Sequence, residues 1–460
     1  MTAILICLIG FLLSFLAGRR SLVWGLAATF AMGYFYGILR ANLDQSAAHF
    51  TFDAAVLGLY CAQWRQLMNL PERIKALKLQ RWVAVLILWP VLLFFVPIQD
   101  PLVELVGLRG HIFLLPFLLI GARLSSEELY ELALWLAALN LVAFGFALAE
   151  FFMGVPRFFP FRPGVTTIIY MSSDVAGYTA FRIPATFTSA HAYAGATVTT
   201  IPFLMGAWVQ KRKQVWHGYL IALALASSIL GVFMAAARTH AIILFVLLAV
   251  VTVSGGMKIL KQAGWALMLA GVFWVVSNDA RLQRFTSLSD TEYVVTRVQG
   301  SVNLNFASLA LRYPMGNGLG GGGTSIPYFL QDLVRGGTGG LESEYSRIML
   351  EQGMPGLCLW AGFLLWAFLR YPNSRPSDWM LGRRLAYFAG LGYFLTGLTG
   401  VGTLTAIPQT CLMLMLTGWI CVPPQPSVAT QLPDAGRTAT NYPFVNFRPK
   451  HQQPELSISR

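Results

Sequence analysis

The sequence predicts an all-α integral membrane protein, and three observations support this prediction. Of the 460 residues, 56% are hydrophobic and only 12% are charged, and the mean hydropathy is +0.60. Soluble domains carry roughly twice that share of charged residues. The apolar stretches are long and continuous, which favours membrane helices over the alternating strands of a membrane barrel.

Taken in order, the apolar stretches predict roughly 12–13 transmembrane helices within a polytopic membrane domain, residues 1–422. The predicted spans are 3–17, 22–39, 52–67, 82–96, 111–122, 129–152, 187–209, 219–236, 241–253, 265–276, 354–369, 385–398 and 404–422. The first span is followed, not preceded, by Arg19 and Arg20, which favours a retained helix over a signal peptide. Residues 71–81 are predicted to form a basic connector between two spans.

Basic residues cluster at alternate ends of the spans, and this pattern predicts which connections face the cytoplasm. The clusters are 19–20, 73–81, 211–213, 258–261 and 370–384. Two long outward loops are then expected at about 153–186 and 277–352, together with a disordered cytoplasmic tail at 423–460. The net charge of +13 resides mostly beside spans, so we predict the lipid bilayer and no nucleic acid as its partner.

The candidate catalytic segment lies where a glycine-rich polar loop runs into an apolar span, within residues 316–360. Glu342 and Glu344 stand at this border, and partial desolvation makes a carboxylate a better base. Arg347 is spaced to pair with Glu344 at i,i+3 or, in competition, with Glu351 at i,i+4. The alternative interpretation is ordinary solvation of a helix end by acidic residues.

Two further arginines occupy positions where a charge is costly unless it is used. Arg182 ends an outward loop, and Arg238 lies between two apolar stretches with almost no loop to solvate it. Such a charge faces the protein interior and serves a ligand or a partner. The alternative is a structural pair of Arg238 with Glu150 or Asp174. The neighbouring His240 is interpreted as a polar cap, and the sequence gives no pattern around two other histidines, His111 and His191.

The sequence predicts neither a metal site nor a bound cofactor. The glycines at 318–323 match G-x-G-x-x-G, but no strand–helix unit follows them, so they more simply permit tight turns. No D-x-D motif is present, and the two acids at 342–344 are too few for a convincing metal site. The five cysteines lie in or beside apolar stretches and are interpreted as small core residues.

Three segments of the chain form a pattern together. The first is Arg182 with 185–187, and the second is 237–239, around Arg238. The third joins 312–321 to 342–357. Together they resemble the O-antigen ligase and O-antigen polymerase superfamily, which comprises integral membrane glycosyltransferases of the bacterial envelope. One departure is that Glu342 and Ser343 stand where ligases carry His-Asn, which favours a polysaccharide polymerase over a ligase.

The resemblance implies a GT-C-like fold in the bacterial inner membrane with the active site facing the periplasm. The implied substrates are an undecaprenyl-diphosphate-linked glycan and a growing polysaccharide acceptor, with chain-length regulator or export subunits as partners. Glu342, or Glu344 as second choice, would act as the base in an inverting, metal-independent transfer. Residues expected to bind the diphosphate are Arg182, Arg238, Arg312, Arg347 and Tyr345. Ligation of a finished glycan and transport of lipid-linked glycans are the alternatives.

Overall fold

The protein is described by a computed structural model, and its described residues belong to one compact unit, Met1–Pro423. The structure describes residues 1–43, 45–68, 74–171, 181–210, 214–254, 292, 295, 306–323, 326–336, 341, 343–369, 371, 379–400 and 402–422. The predicted span at 265–276 and the predicted tail at 423–460 lie outside these ranges, as do Glu342 and most of the first part of the second predicted loop, 277–305.

The described residues form helices and connecting turns, with no β-strand among them. The longer helices are α1 (Thr2–Arg20), α2 (Leu22–Asn42), α3 (Thr51–Met68), α4 (Ile74–Phe94), α5 (Pro101–Ile112), α6 (Pro116–Arg123), α7 (Ser126–Met153), α8 (Thr167–Met171), α9 (Ala190–Trp208), α10 (Val215–Met234), α11 (Arg238–Ser254), α12 (Phe306–Arg312), α13 (Glu344–Phe368), α14 (Met380–Thr396) and α15 (Gln409–Cys421). Short 3-10 turns occupy Ser46–Phe50, Val155–Arg157 and Tyr328–Leu333.

The all-α membrane prediction is confirmed. Within the described part of the chain, seven helical segments are long and apolar enough to cross a bilayer: Thr2–Arg20, Leu22–Asn42, Ala76–Phe94, Pro101–Arg123, Ser126–Met153, Val215–Met234 and Glu344–Phe368. Helix α1 exposes large apolar side chains such as Leu5, Leu12 and Leu16, as a helix in contact with lipid does. The chain is therefore a multi-pass membrane protein, while the total of 12–13 spans stays a prediction.

Two helices begin earlier than the hydrophobic pattern predicts, and at one of them a capping residue extends the helix into polar sequence. Asp100 accepts a hydrogen bond from the backbone N–H of Leu102, and Pro101 follows it at the first helical position. Helix α5 therefore starts well before residue 111 and breaks at 113–115. Helix α4 starts at Ile74, so the predicted connector at 71–81 is wrong for its described residues, which are helical.

Described spans that a short connection joins run in opposite directions, so alternate connections gather at one end of the bundle. We call this end the loop face; it comprises the described residues of 43–50, 95–100, 154–189, 235–237, 313–343 and 397–408. Hydrogen bonds join these connections to the helix ends: Ile38 N–H donates to the carbonyl of Thr186 (3.0 Å), and Asn317 N–H donates to that of Leu350 (2.6 Å). These connections therefore lie together on one surface of the bundle.

A buried polar seam holds four helices together inside the apolar bundle. Tyr34 of α2 donates to Oδ1 of Asn140 on α7 (2.7 Å), and the amide of Asn140 donates to Thr200 on α9 (2.7 Å) and to Ser228 on α10 (2.9 Å). All four side chains are buried. Without these bonds, polar groups would be left unsatisfied in an apolar interior. The seam therefore fixes how α2, α7 and α10 pack against α9, which begins at the loop face.

Candidate functional site

The N-terminal turns of α13 carry the acidic cluster that the sequence singles out. Ser343 caps the helix, and its hydroxyl accepts from the N–H of Ser346 (3.4 Å). At Gly353 the backbone leaves helical geometry, with φ 70° and ψ −173°, a conformation that favours glycine. The segment 344–352 is therefore a short helix of its own, joined to the longer apolar part of α13 by one glycine.

Arg347 lies between two carboxylates on this short helix. Its Nε donates to Oε1 of Glu344 (3.0 Å), with a second contact through Nη2, and its Nη1 donates to Oε2 of Glu351 (3.3 Å). The side chains of all three residues are at most 2% exposed. The two pairs that the sequence presents as competitors thus form together, around one shared cation.

His111 of α5 completes this ion network from the other side. Its Nδ1 lies 2.7 Å from the side-chain amide nitrogen of Gln352, which can only donate. The imidazole proton is therefore on Nε2, which donates to Oε2 of Glu351 at 2.6 Å. His111 is neutral in this arrangement, and the sequence interpretation, which found no pattern around this residue, missed its role.

Backbone amides of two loops satisfy the remaining carboxylate oxygens. Oε2 of Glu344 accepts from the N–H groups of Gly402 (2.6 Å) and Thr403 (3.2 Å). Oε1 of Glu351 accepts from Gly322 of the glycine-rich loop (3.3 Å). Buried charges with complete partners stabilise one arrangement of the surrounding chain. The ion network of His111, Glu344, Arg347, Glu351 and Gln352 therefore clamps two loops to α13.

The other predicted site residues of this region lie apart from the ion network. The hydroxyl of Tyr345 donates to the carbonyl of Phe394 on α14 (2.8 Å). Arg312 ends α12 at an exposed position, where its guanidinium carbon lies 5.3 Å from the ring centre of Tyr313. Glu342, the first candidate for the base, lies outside the described residues.

A second cluster forms at the loop face around Arg182 and two histidines. Arg182 is 8% exposed, and its Nη1 donates to Nε2 of His191 at 2.9 Å. The ring centre of His191 lies 6.1 Å from that of His240. The amide nitrogen of Gln409 donates to Nε2 of His240 at 3.2 Å. We call Arg182, His191, His240 and Gln409 the histidine cluster.

The structure thus brings Arg182 next to the turn that carries Arg238. Arg238 is the first residue of α11, and His240 follows two positions later on the same helix. His191 is the second residue of α9, and Gln409 is the first residue of α15. The N-terminal ends of three helices therefore meet in the histidine cluster. Because backbone N–H groups and the positive end of the helix dipole point outward there, such a place favours an anion.

The backbone is strained at two alanines that flank the histidine cluster. Ala185 has φ 51° and Ala236 has φ 48°, a left-handed conformation that costs a residue with a Cβ about 1–2 kcal/mol. Glu150 of α7 holds the first of them, since its Oε2 accepts from the N–H of Ala185 at 2.9 Å. Strained backbone of this kind gathers at ligand sites, where the surrounding fold enforces it.

One connection joins the two clusters. The turn at 402–403, which Glu344 holds, also receives hydrogen bonds from Tyr393 (2.5 Å) and from Thr410 (2.9 Å), both to the carbonyl of Thr403. Thr410 follows Gln409 directly in α15. The ion network therefore contributes to the position of the histidine cluster through the loop between α14 and α15.

Sequence reasoning found the arginine of the histidine cluster but not its partners. His191 and Gln409 belong to two different predicted spans, His240 directly precedes a third, and no local spacing connects them. Their shared signal is that each stands at the outward end of an apolar stretch. In the described ranges no group of three or more His, Cys, Asp or Glu side chains could hold a metal ion.

No protein-family model matches the chain, and no curated protein matches it. The resemblance to the O-antigen ligase and polymerase superfamily therefore stays a prediction from the three sequence segments.

Proposed function

We propose that this protein is a membrane glycosyltransferase that polymerises undecaprenyl-diphosphate-linked glycan units into exopolysaccharide or O-antigen at the periplasmic face. The observation that carries the proposal is the meeting of Arg182, the turn with Arg238, and three helix N-termini at one surface. Guanidinium groups bind phosphate in a fixed, bidentate geometry, and helix N-termini add to their field. A lipid-linked diphosphate is an anion that an enzyme of the membrane meets.

In the proposed reaction an acceptor hydroxyl of the growing chain attacks the anomeric carbon of the donor sugar. The bond from that carbon to the diphosphate oxygen breaks, and its electron pair leaves with undecaprenyl diphosphate, so the anomeric configuration is inverted. Arg182 and Arg238 stabilise the negative charge that develops on the leaving group. Glu342 accepts the proton of the attacking hydroxyl.

The environment of Glu344 supports Glu342 as the base. A carboxylate that accepts from a guanidinium and two backbone amides has few lone pairs left for a substrate proton. Arg347 is likewise 1% exposed and shared between two acids. In this proposal Glu344, Tyr345 and Arg347 position the loops around the site, and the diphosphate is bound by Arg182 and Arg238, with Arg312 at the entrance.

The direct test replaces Glu342, Arg182 and Arg238 one at a time and measures polymer length in membranes. We expect Glu342→Gln, Arg182→Ala and Arg238→Ala each to lower polymer formation by about a hundredfold or more. Arg19→Ala is the matched control, since Arg19 ends α1 at the opposite end of the bundle. If all three variants insert and polymerise like the parent, the assignment is wrong.

Two further measurements separate the proposal from its alternatives. Because arginines supply the positive field, activity is expected to survive EDTA. Deletion of the protein is expected to leave single lipid-linked units in the membrane, whereas loss of a ligase leaves long lipid-linked chains. A transporter of lipid-linked glycans would transfer no sugar in detergent solution, where the proposed enzyme does.

A further inference from the structure

We propose that His240 is part of the diphosphate site and acts there as a neutral hydrogen-bond donor through its Nδ1–H. The inference rests on the proposed function, because it takes a lipid diphosphate as the ligand of the histidine cluster. It adds to the arginines a contact of a different kind, one that binds a phosphate oxygen without adding charge.

The contacts of His240 fix its tautomer. Its Nε2 lies 3.2 Å from the side-chain nitrogen of Gln409, which carries two protons and no acceptor lone pair. Nε2 must therefore accept, and the single proton of the neutral imidazole is on Nδ1. The same reasoning applies to His191, since Nη1 of Arg182 can only donate to its Nε2. Both imidazoles turn an acceptor nitrogen towards a protein donor.

The donor of His240 has no partner among the residues that the structure describes. His240 is 8% exposed, and its Nδ1 is a fully buried atom without a hydrogen bond. A buried donor left in this state costs about 1–3 kcal/mol, and native proteins rarely keep one without a use. It lies in the cluster where Arg182, the start of α11 and the start of α15 already favour an anion. Because these surroundings favour an anion, a phosphate oxygen is the acceptor that fits this donor.

Gly195 holds Gln409 in the orientation that fixes this tautomer. Gly195 lies one turn after His191 on α9, and a Cβ there would stand 2.0 Å from Oε1 and 2.4 Å from Nε2 of Gln409. The side chain of Gln409 thus packs flat against the glycine, where a methyl group would displace it. Gly195 and Gln409 are positioning residues for His240, and neither carries a charge.

The test compares two isosteric substitutions of His240 in the full chain, purified in detergent. The side-chain nitrogen of asparagine reaches the place of Nδ1 and can donate there, whereas the side-chain oxygen of glutamine reaches the place of Nε2 and can accept from Gln409. The measured quantity is the dissociation constant of farnesyl diphosphate, obtained by titration calorimetry. We expect His240→Asn to bind within about threefold of the parent, whereas His240→Gln and His240→Phe bind about tenfold to a hundredfold more weakly.

The order of the two isosteres separates this inference from a structural role. If His240 served only to pack against Gln409, glutamine would preserve that contact, and His240→Gln would bind better than His240→Asn; that order overturns the inference. Thermal unfolding of each variant shows that the comparison is made on folded protein. His217→Phe is the control, because His217 accepts from or donates to Tyr130 (3.1 Å) near the start of α10, at the other end of the bundle.

Variants of the arginines separate the failure of this inference from that of the proposed function. Weaker binding in Arg182→Ala and Arg238→Ala, with parental binding in every His240 variant, overturns the role of His240 and leaves the donor site in place. Parental binding in all of these variants overturns both. Gly195→Ala is expected to weaken binding about as much as His240→Gln, because it moves Gln409.

Discussion

The ion network around Arg347 and the histidine cluster around His240 both contain arginine, histidine and glutamine side chains, but the polar atoms of the two are satisfied differently. In the ion network, carboxylates, guanidinium, imidazole and loop amides are one another's partners. In the histidine cluster, a buried imidazole N–H has no partner in the described part of the chain, and left-handed alanines flank it. A complete set of partners indicates a structural role, and an incomplete one indicates a place prepared for a ligand.

The comparison reverses the order in which the sequence ranks these two clusters as candidate ligand sites. Glu344, Tyr345 and Arg347, which the sequence singles out, use their polar atoms in hydrogen bonds to other parts of the chain. His240, which the sequence does not single out, has one buried nitrogen without such a bond in the described part of the chain. The predictions below test this difference, first where the expected effect is largest.

Removal of the shared cation is expected to have the largest effect on folding. Arg347→Met would leave Glu344 and Glu351 buried without their counter-ion, which costs about 3–5 kcal/mol. Yield in membranes and the thermal unfolding midpoint in detergent measure this loss. The triple variant in which both acids also become Met should recover part of it. An Arg347→Met protein as stable as the parent would mean that the ion network is not the clamp described here.

Removal of the cation in the histidine cluster is expected to affect function much more than stability. Arg182→Gln keeps donors near His191 but loses the charge, so polymer formation should fall by about a hundredfold while stability changes by about 1 kcal/mol. Polymer length in membranes and the unfolding midpoint are measured on the same preparation. If Arg182→Gln lowers the unfolding midpoint as much as Arg347→Met does, the proposed difference in role between the two clusters is wrong.

Relief of backbone strain beside Arg238 is expected to raise stability. Glycine adopts φ 48° without a Cβ clash, so Ala236→Gly should stabilise the protein by about 1 kcal/mol. The matched control is Ala235→Gly, at φ −70°, where glycine should destabilise by about 0.5–1 kcal/mol. Equal destabilisation by both substitutions, seen as lower unfolding midpoints, would show that Ala236 carries no strain.

The pH dependence of stability is expected to report on a buried histidine outside the membrane-spanning helices. Burial first, and then the charges of Arg40 and Arg109, lower the pKa of His49 to about 4. The unfolded chain therefore binds this proton more tightly, so the contribution of His49 to stability is complete above about pH 6.5 and is lost as pH falls towards 4. The unfolding midpoint of the parent should drop over this range more than that of His49→Gln. Parallel pH curves for the two proteins would contradict the assignment.

The features that the sequence predicts are those with a local cause. Long apolar stretches predict the membrane helices, and the spacing of Glu344, Arg347 and Glu351 at i,i+3 and i,i+4 predicts that they can meet on one helix. The early start of α5 also has a local signal, since Asp100 followed by Pro101 is a typical helix beginning, although hydropathy alone conceals it.

The features that the sequence does not predict depend on packing between distant segments. His111 meets Glu351 across 240 positions of the chain, and Gln409 meets His240 across 169. No period or motif encodes such a contact, because it arises only when the helices pack and their ends come together. The same holds for strain at Ala185 and Ala236, which the surrounding fold imposes on ordinary residues.

The glycine joint in α13 has a consequence for the behaviour of the protein in membranes of different thickness. The segment before Gly353 is tied to the glycine-rich loop and to the turn at 402–403, while the apolar segment after it belongs to the bilayer. Transmembrane helices adjust to hydrocarbon thickness by tilting. Because the helical backbone is interrupted at Gly353, we expect the lower segment to tilt with bilayer thickness while the charged upper segment keeps its partners.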